Sequence, residues 1–287
     1  MRAAVLGSPI AHSLSPVLHT AAYEALGLDD WTYEIIECDE AALPGMLKGD
    51  WAGLSLTMPL KRAVLPLLDD VEPLAVDVGG ANTVVYEPDG RRHGYNTDVY
   101  GMVAALADAG VTTTPDCVGS AWASGRGVGS AWASGRGATI LGAGATACAA
   151  LAALRELGLK EAVVLVRDPA RAGDLLAAAL RLGMAVDVRP LTTELRGGDL
   201  LISTLPVGAA DFIAERHWHH GPIPSALLDV VYAPWPTQLA IAAAKAGVPV
   251  ASGGDMLLHQ AARQFELMTG RTPAPIADMR AALSRVH

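Results

Sequence analysis

The sequence predicts an α/β protein of two units: an N-terminal α/β unit and a doubly wound parallel sheet of Rossmann type. Short apolar runs alternate with helical patterns along nearly the whole chain. In the second half the runs are continuously apolar and several are separated by helices, as strands buried on both faces of a parallel sheet are. Gly142-Ala143-Gly144-Ala145-Thr146-Ala147 stands between such a run and a helix. Its GxGxxA spacing is that of a dinucleotide-binding turn.

In the first unit, residues 3–6, 32–36, 54–57 and 83–86 read as strands. Residues 16–26 and 60–68 read as helices, the first opened by Ser15 as cap and Pro16 in the first turn. Another helix runs from Asp98 to about Ala109. The second series of strands comprises residues 138–141, 162–166, 185–188, 200–203, 227–231 and 248–251. Two helices, 255–269 and 274–285, end the chain. The expected domains are 1–104, completed by 253–287, and 105–252.

The tandem decapeptide VGSAWASGRG at 118–127 and 128–137 is also Gly-rich. No strand precedes its glycines and no helical period follows, so it fails the phosphate-loop test. It is expected to be a flexible linker insertion without catalytic role.

Composition narrows the function. A net charge of −9 opposes non-specific nucleic-acid binding. No apolar run reaches the roughly 20 residues that span a bilayer. Three scattered cysteines, Cys38, Cys117 and Cys148, suit a reducing cytoplasm. No CxxC or HExxH spacing supports a metal site, and His217-Trp218-His219-His220 reads as a solvated loop.

In the GxGxxA turn, Gly142 permits the tight turn, Gly144 lets backbone approach phosphates, and Ala147 allows close helix–strand packing. The next strand ends in Val166-Arg167, with Arg171 four residues on. Arginines at this tip favour a 2′-phosphate, hence NADP over NAD. Asp168 is the competing partner, for a free ribose.

In GSPIAHSLSP (7–16), Ser13 and Ser15 are two apart. In extended chain their hydroxyls share a direction and can grip a carboxylate or a diol. A cap or ST-turn is the alternative. SLTMPLK (55–61) places Thr57 at a strand end and Lys61 in a helix's first turn, where the dipole mildly opposes a cation. GGANTV and GYNTDVYG add Asn82, Asn96, Thr97 and Asp98, which singly suit turns and caps.

As an ordered set, GSPIAHSLSP, SLTMPLK, GGANT, YNTD, GAGATA, DVVYAPWPT and GGDMLLHQ resemble the shikimate dehydrogenases. The resemblance covers the chain except the repeat. It implies reversible, NADP-dependent interconversion of 3-dehydroshikimate and shikimate. Lys61 and Asp98 would form an acid–base dyad. Ser13 and Ser15 would bind the substrate carboxylate, and Thr57, Asn82 and Gln260 its hydroxyls. Tyr232 would sit near both substrate carboxylate and cofactor. Gly142, Ala143, Gly144, Ala145, Thr146, Arg167 and Arg171 would hold the cofactor, with the Gly253 backbone at the nicotinamide amide. The active site would be the cleft between domains, closing by a hinge.

The chain departs from the family in Ser55-Leu56-Thr57, where Asn-Val-Thr is commoner, in Ala145 of the loop, and in lacking Asn-Arg-Thr at the adenosine strand. An NAD-dependent quinate/shikimate enzyme and an amino-shikimate dehydrogenase are alternatives. A non-catalytic nucleotide-binding regulator is a third, which Lys61 and Asp98 oppose. The expected form is a cytoplasmic monomer or homodimer with a small-molecule substrate and no nucleic-acid or membrane partner.

Overall fold

The computed structural model describes residues 1–111, 137–217 and 222–286. The decapeptide repeat, except Gly137, lies outside the described residues, as do Trp218, His219 and His220. The chain forms two compact units, Met1–Gly101 with Leu257–His287, and Met102–Met256. From sequence these joins were expected at 104/105 and 252/253.

The first unit contains β1 (Arg2–Gly7), α1 (Ser15–Ala25), β2 (Thr32–Glu37), α2 (Leu43–Met46), β3 (Gly53–Leu56) and α3 (Leu60–Ala63). These are followed by β4 (Asp70–Val71), α4 (Pro73–Val78), β5 (Thr83–Tyr86), β6 (Arg92–Tyr95) and α5 (Asp98–Asp108), the last running into the second unit. The sheet order is β2-β1-β3-β5-β6-β4. The β3–β5–β6 pairings are antiparallel and the others parallel.

The helix expected over 60–68 is broken. The α-helix stops at Ala63, and a 3-10 turn spans Leu65–Leu67. Pro66 has no N–H to donate and its ring crowds the preceding turn, so the helix cannot run through it. The strand expected over 54–57 ends at Leu56, although the Thr57 N–H still donates to the Leu6 carbonyl at 2.9 Å.

The second unit contains β7 (Ala138–Leu141), α6 (Ala145–Glu156), β8 (Glu161–Val166), α7 (Gly173–Leu182), β9 (Ala185–Pro190) and β10 (Leu200–Ser203). Then come α8 (Asp211–His217), β11 (Ala226–Asp229), α9 (Gln238–Lys245), β12 (Val250–Ser252) and α10 (Gly253–Thr269). The backbone of His217 thus ends a helix, where the sequence suggested a loop. The sheet is parallel throughout, in the order β12-β11-β10-β7-β8-β9. The strand β7 and its following turn lie at its centre, where the order reverses, the place where such sheets bind nucleotides. Helix α10 carries the chain back into the first unit, which α11 (Ile276–Leu283) completes.

Alternation along the strands gives the first sheet two cores. On one face Ala4, Leu6, Leu54, Leu56 and Val84 pack with Leu43, Leu60 and Ala75 from α2, α3 and α4. The other face carries Ala3 and Val85, against Met268 of α10. There Leu18 and Tyr23 of α1, Phe265 of α10 and Met279 of α11 form a continuous cluster. Phe265 is fully buried, so α10 is anchored over the sheet by a side chain whose truncation to alanine costs about 3–5 kcal/mol.

Candidate active site

The strand pairing brings the polar residues of the first unit together. Thr83 stands opposite Tyr95 across β5 and β6. The residues flanking this rung, Asn82 and Asn96-Thr97-Asp98, therefore meet at one end of the hairpin. The Asn82 N–H donates to the Tyr95 carbonyl at 3.0 Å, and the Lys61 carbonyl accepts the Ala81 N–H at 2.8 Å. The latter bond docks α3 onto the same corner.

Within this corner the Lys61 ammonium and the Asp98 carboxylate lie 2.5 Å apart, Nζ to Oδ2. Asp98 is buried, with 7% of its side chain exposed against 16% for Lys61. Its second oxygen accepts from Asn82 Nδ2 at 2.8 Å. A shielded pair with its remaining lone pairs satisfied is the arrangement in which an ion pair keeps its geometry.

Asn82 is the hub. Its Oδ1 accepts from the Thr97 N–H at 2.8 Å, and its Nδ2 also lies 3.0 Å from Thr97 Oγ1. The Gln260 amide oxygen stands 3.4 Å from the same Nδ2, while Gln260 Nε2 donates to the Leu257 carbonyl of its own helix. Gln260 is buried at 7% exposure, within the same polar cluster. Beneath the turn, Asn96 ties Asp98 N–H to its own Oδ1 and the Gly80 carbonyl to its Nδ2. The half-buried Glu72 carboxylate accepts the Asn96 N–H, and desolvation raises its pKa.

Ser13 and Ser15 do not share an extended segment. The residue between them, Leu14, has φ −93° and ψ 1°, and Ser15 is already the first residue of α1, without a side-chain cap at Leu14. Proline fits the second helical position as well as the first, so Pro16 does not make Ser15 the cap. Ser13 Oγ instead accepts the Ser15 N–H at 3.3 Å. Thr57 lies just beyond β3, half-buried, at a close approach where a Cβ on Gly7 would stand 2.4 Å from its methyl. The loop from Gly7 is clamped by Glu37, which accepts the Ser8 hydroxyl at 2.5 Å and the Ile10 N–H at 3.1 Å.

The second unit holds the remaining candidates. The turn after β7 has Gly142 at φ 104°, and a Cβ there would stand 2.6 Å from Thr204 Oγ1. Both facts require glycine. A Cβ on Gly144 would meet nothing within 4 Å, so its backbone faces open space at the N-terminus of α6. Ala143 completes the turn, Ala145 and Thr146 open α6, and the buried Ala147 lets α6 sit close to the sheet.

A 280 Å³ cavity is lined by Gly142, Ala143, Gly144, Arg167, Asp168 and Arg171, among others. Arg167 and Arg171 are exposed, and neither has an ion-pair partner among the described residues. The Asp168 carboxylate caps the 3-10 turn Pro169–Arg171 by accepting the Ala170 N–H at 3.0 Å. A backbone cradle at a helix N-terminus, beside two free guanidinium groups, fits a phosphorylated dinucleotide.

Tyr232 follows β11 and is half-buried, which raises its pKa. Asp229 shapes its turn by accepting from Thr237 Oγ1 at 2.7 Å and from the Val231 N–H at 3.3 Å. A Cβ on Gly253 would stand 2.2 Å from the Val230 carbonyl oxygen, so only glycine fits where α10 starts. Of the candidates, then, Lys61, Asp98, Asn82 and Gln260 form one contact set, Ser13 and Ser15 a second. The sequence did not single out Glu37, Glu72, Asp229 and Gln264. For Gln264 the available signal is its spacing, one helical turn beyond Gln260.

A nucleotide-cradling parallel sheet, joined in one chain to a unit holding a shielded lysine–aspartate pair, defines a nicotinamide-nucleotide-dependent oxidoreductase. Comparison with known proteins narrows this. Residues 5–84 match the family model for the shikimate dehydrogenase substrate binding domain, and residues 253–283 that for the shikimate 5'-dehydrogenase C-terminal domain. A shikimate dehydrogenase (NADP(+)) of Thermus thermophilus is 37% identical, with 96% of this chain and 95% of the relative aligned. The crystal structure of Mycobacterium tuberculosis shikimate dehydrogenase is similar with a TM-score of 0.80 and 40% identity, covering 99% of each chain. A Thermus thermophilus shikimate 5-dehydrogenase, solved in complex with NADP(H) and shikimate, gives a TM-score of 0.78 and 35% identity, covering 100% of each. The chain belongs to the shikimate dehydrogenase family.

Proposed function

We infer that this chain is an NADP-dependent shikimate dehydrogenase, interconverting 3-dehydroshikimate and shikimate in the route to aromatic amino acids. The observation that carries the reading is the Lys61–Asp98 contact, braced by Asn82, in a chain 37% identical to an NADP-dependent shikimate dehydrogenase along nearly its whole length.

Bound NADP supplies the hydride acceptor. The chain's own residues manage the proton and the substrate. In the reducing direction Lys61 Nζ gives a proton to the oxygen that becomes the hydroxyl, and in the oxidising direction the Lys61–Asp98 pair takes it back. Asp98 holds the ammonium in place at 2.5 Å and balances its charge. Asn82 and Gln260, with Thr57, receive the ring hydroxyls. Ser13 and Ser15 receive the carboxylate, which the positive end of the α1 dipole favours.

The first unit is thus the substrate unit and the second the cofactor unit. Gly142 to Thr146 cradle the pyrophosphate. Arg167 and Arg171 receive the 2′-phosphate, a reading supported by their free guanidinium groups and by the engagement of Asp168 in capping. Tyr232 and the Gly253 backbone serve the substrate carboxylate and the nicotinamide amide. Cys38 is a free, buried thiol, which favours the reducing cytoplasm. The working form of the chain is a monomer or homodimer acting on a small-molecule substrate.

The test is product identity. Incubated with 3-dehydroshikimate and NADPH, the chain is expected to release shikimate, read by mass spectrometry. Recovery of unreacted 3-dehydroshikimate alone would remove the activity.

A further inference from the structure

Beneath Asn82 a chain of hydrogen bonds runs through buried side chains that the proposed chemistry does not use. Tyr33 Oη donates to Ser55 Oγ at 2.6 Å, and Ser55 Oγ donates to Gln264 Oε1 at 2.9 Å. Gln264 Nε2 donates to the Asn82 main-chain carbonyl at 3.1 Å and to Thr83 Oγ1 at 3.0 Å. Thr83 Oγ1 donates to Asn82 Oδ1 at 2.9 Å. Ser55, Thr83 and Gln264 are all 3% exposed or less.

The fold sets up this chain. Ser55 of β3 and Thr83 of β5 are directly opposed in an antiparallel rung, so their hydroxyls share one face of the sheet. Helix α10 crosses that face with Gln264 one turn beyond Gln260. One side chain therefore bridges two central strands directly beneath the hub.

Donor and acceptor roles fix the polarity of the whole chain. The Asn82 carbonyl can only accept, so Gln264 turns its amide nitrogen there and its oxygen toward Ser55. Ser55 must then donate to Gln264 and accept from Tyr33. At the other end, the Thr97 N–H can only donate, which fixes Asn82 Oδ1, and the Asp98 carboxylate can only accept, which fixes Asn82 Nδ2. Reversing any amide in this set places donor against donor or acceptor against acceptor in a buried site.

We propose that Gln264 is a positioning residue for Asn82. It holds the Asn82 backbone directly and its side-chain amide through Thr83, so that Nδ2 stays presented to Asp98 and to substrate. The proposal rests on the reading of Asn82 and Asp98 given above.

The test is a double-mutant cycle on shikimate oxidation. Gln264→Leu is expected to lower kcat/KM for shikimate by roughly tenfold to a hundredfold, the cost of a misplaced group. The loss should divide between a higher KM for shikimate and a lower kcat, with KM for NADP unchanged. In an Asn82→Ala background the same substitution should change kcat/KM by less than about twofold, because the residue it positions is gone. Thr83→Val removes only the hydroxyl link and should show the same pattern with a smaller loss, and it decides the matter if Gln264→Leu does not fold.

Full additivity of Gln264→Leu and Asn82→Ala would overturn the proposal, as would wild-type kinetics in both Gln264→Leu and Thr83→Val. Wild-type kinetics in Asn82→Ala would instead sink the underlying assignment of Asn82, and the proposal with it.

Discussion

Asn82 Nδ2 and Asp98 Oδ1 are joined at 2.8 Å, while the other Asp98 oxygen holds the Lys61 ammonium. The carboxylate is gripped from both sides, and its two partners come from different places, the residue just before β5 and the short helix α3. The ammonium therefore has a fixed position from which to act.

Lys61→Ala removes the proton donor and leaves the binding groups in place. We expect kcat to fall by about 10²–10⁴-fold with little change in KM for shikimate. Steady-state kinetics check this, and a preserved kcat would remove Lys61 from the mechanism.

The two glycines of the nucleotide turn should respond differently to alanine. Gly144→Ala meets no atom of the chain within 4 Å, so the melting temperature should hold while KM for NADP rises several-fold through obstruction of the phosphates. Gly142→Ala imposes a side chain at φ 104° and a contact of 2.6 Å with Thr204 Oγ1. It should destabilise the chain by about 1–3 kcal/mol as well as weaken cofactor binding. Thermal melts alongside cofactor titrations separate the two, and equal melting temperatures would contradict the geometry.

Arg167→Ala should raise KM for NADP by roughly tenfold or more while leaving KM for NAD within about twofold, since only NADP carries the phosphate that the guanidinium pairs with. Equal losses with both cofactors would place Arg167 outside the 2′-phosphate site.

His19 gives a pH-dependent stability. It is fully buried and stacks on Tyr33 with ring centroids 4.0 Å apart. Burial, with neither ring nitrogen hydrogen-bonded, pushes its pKa down from 6.5 to about 3. A histidine depressed in the folded state contributes stability above its unfolded pKa and loses it as pH falls from about 6.5 toward 3. At pH 5 the loss is about 2 kcal/mol relative to pH 7.5. His19→Leu should therefore lose less stability than the wild-type chain between those pH values. Glu72 and Asp229, both raised by burial, have the opposite dependence and cancel in the comparison. Parallel melting curves for the two proteins at both pH values would contradict the prediction.

What the sequence revealed depended on how local each signal is. The Gly142–Ala147 turn was legible because strand, glycine spacing and helix are contiguous. Lys61, Asn82 and Asp98 were legible only through family resemblance, since singly each suits a turn, a cap or a surface helix. The β6 strand was missed because Arg-His-Gly-Tyr has no apolar alternation, although Pro88-Asp89-Gly90 before it is a turn signal. The hairpin it forms is what brings Asn82 to Asp98. Gln264 was invisible because a glutamine in an amphipathic helix reveals its partner only when the sheet beneath it is known.

The most direct measurement is reduction of the nicotinamide, followed by absorbance, with shikimate or quinate and with NADP or NAD in all four pairings. The account predicts rapid turnover with shikimate and NADP and far slower turnover in the other three. Preference for quinate with NAD would contradict it and would put Asp168, not Arg167, at the ribose. Silence in all four would leave the fold standing and overturn the assigned reaction.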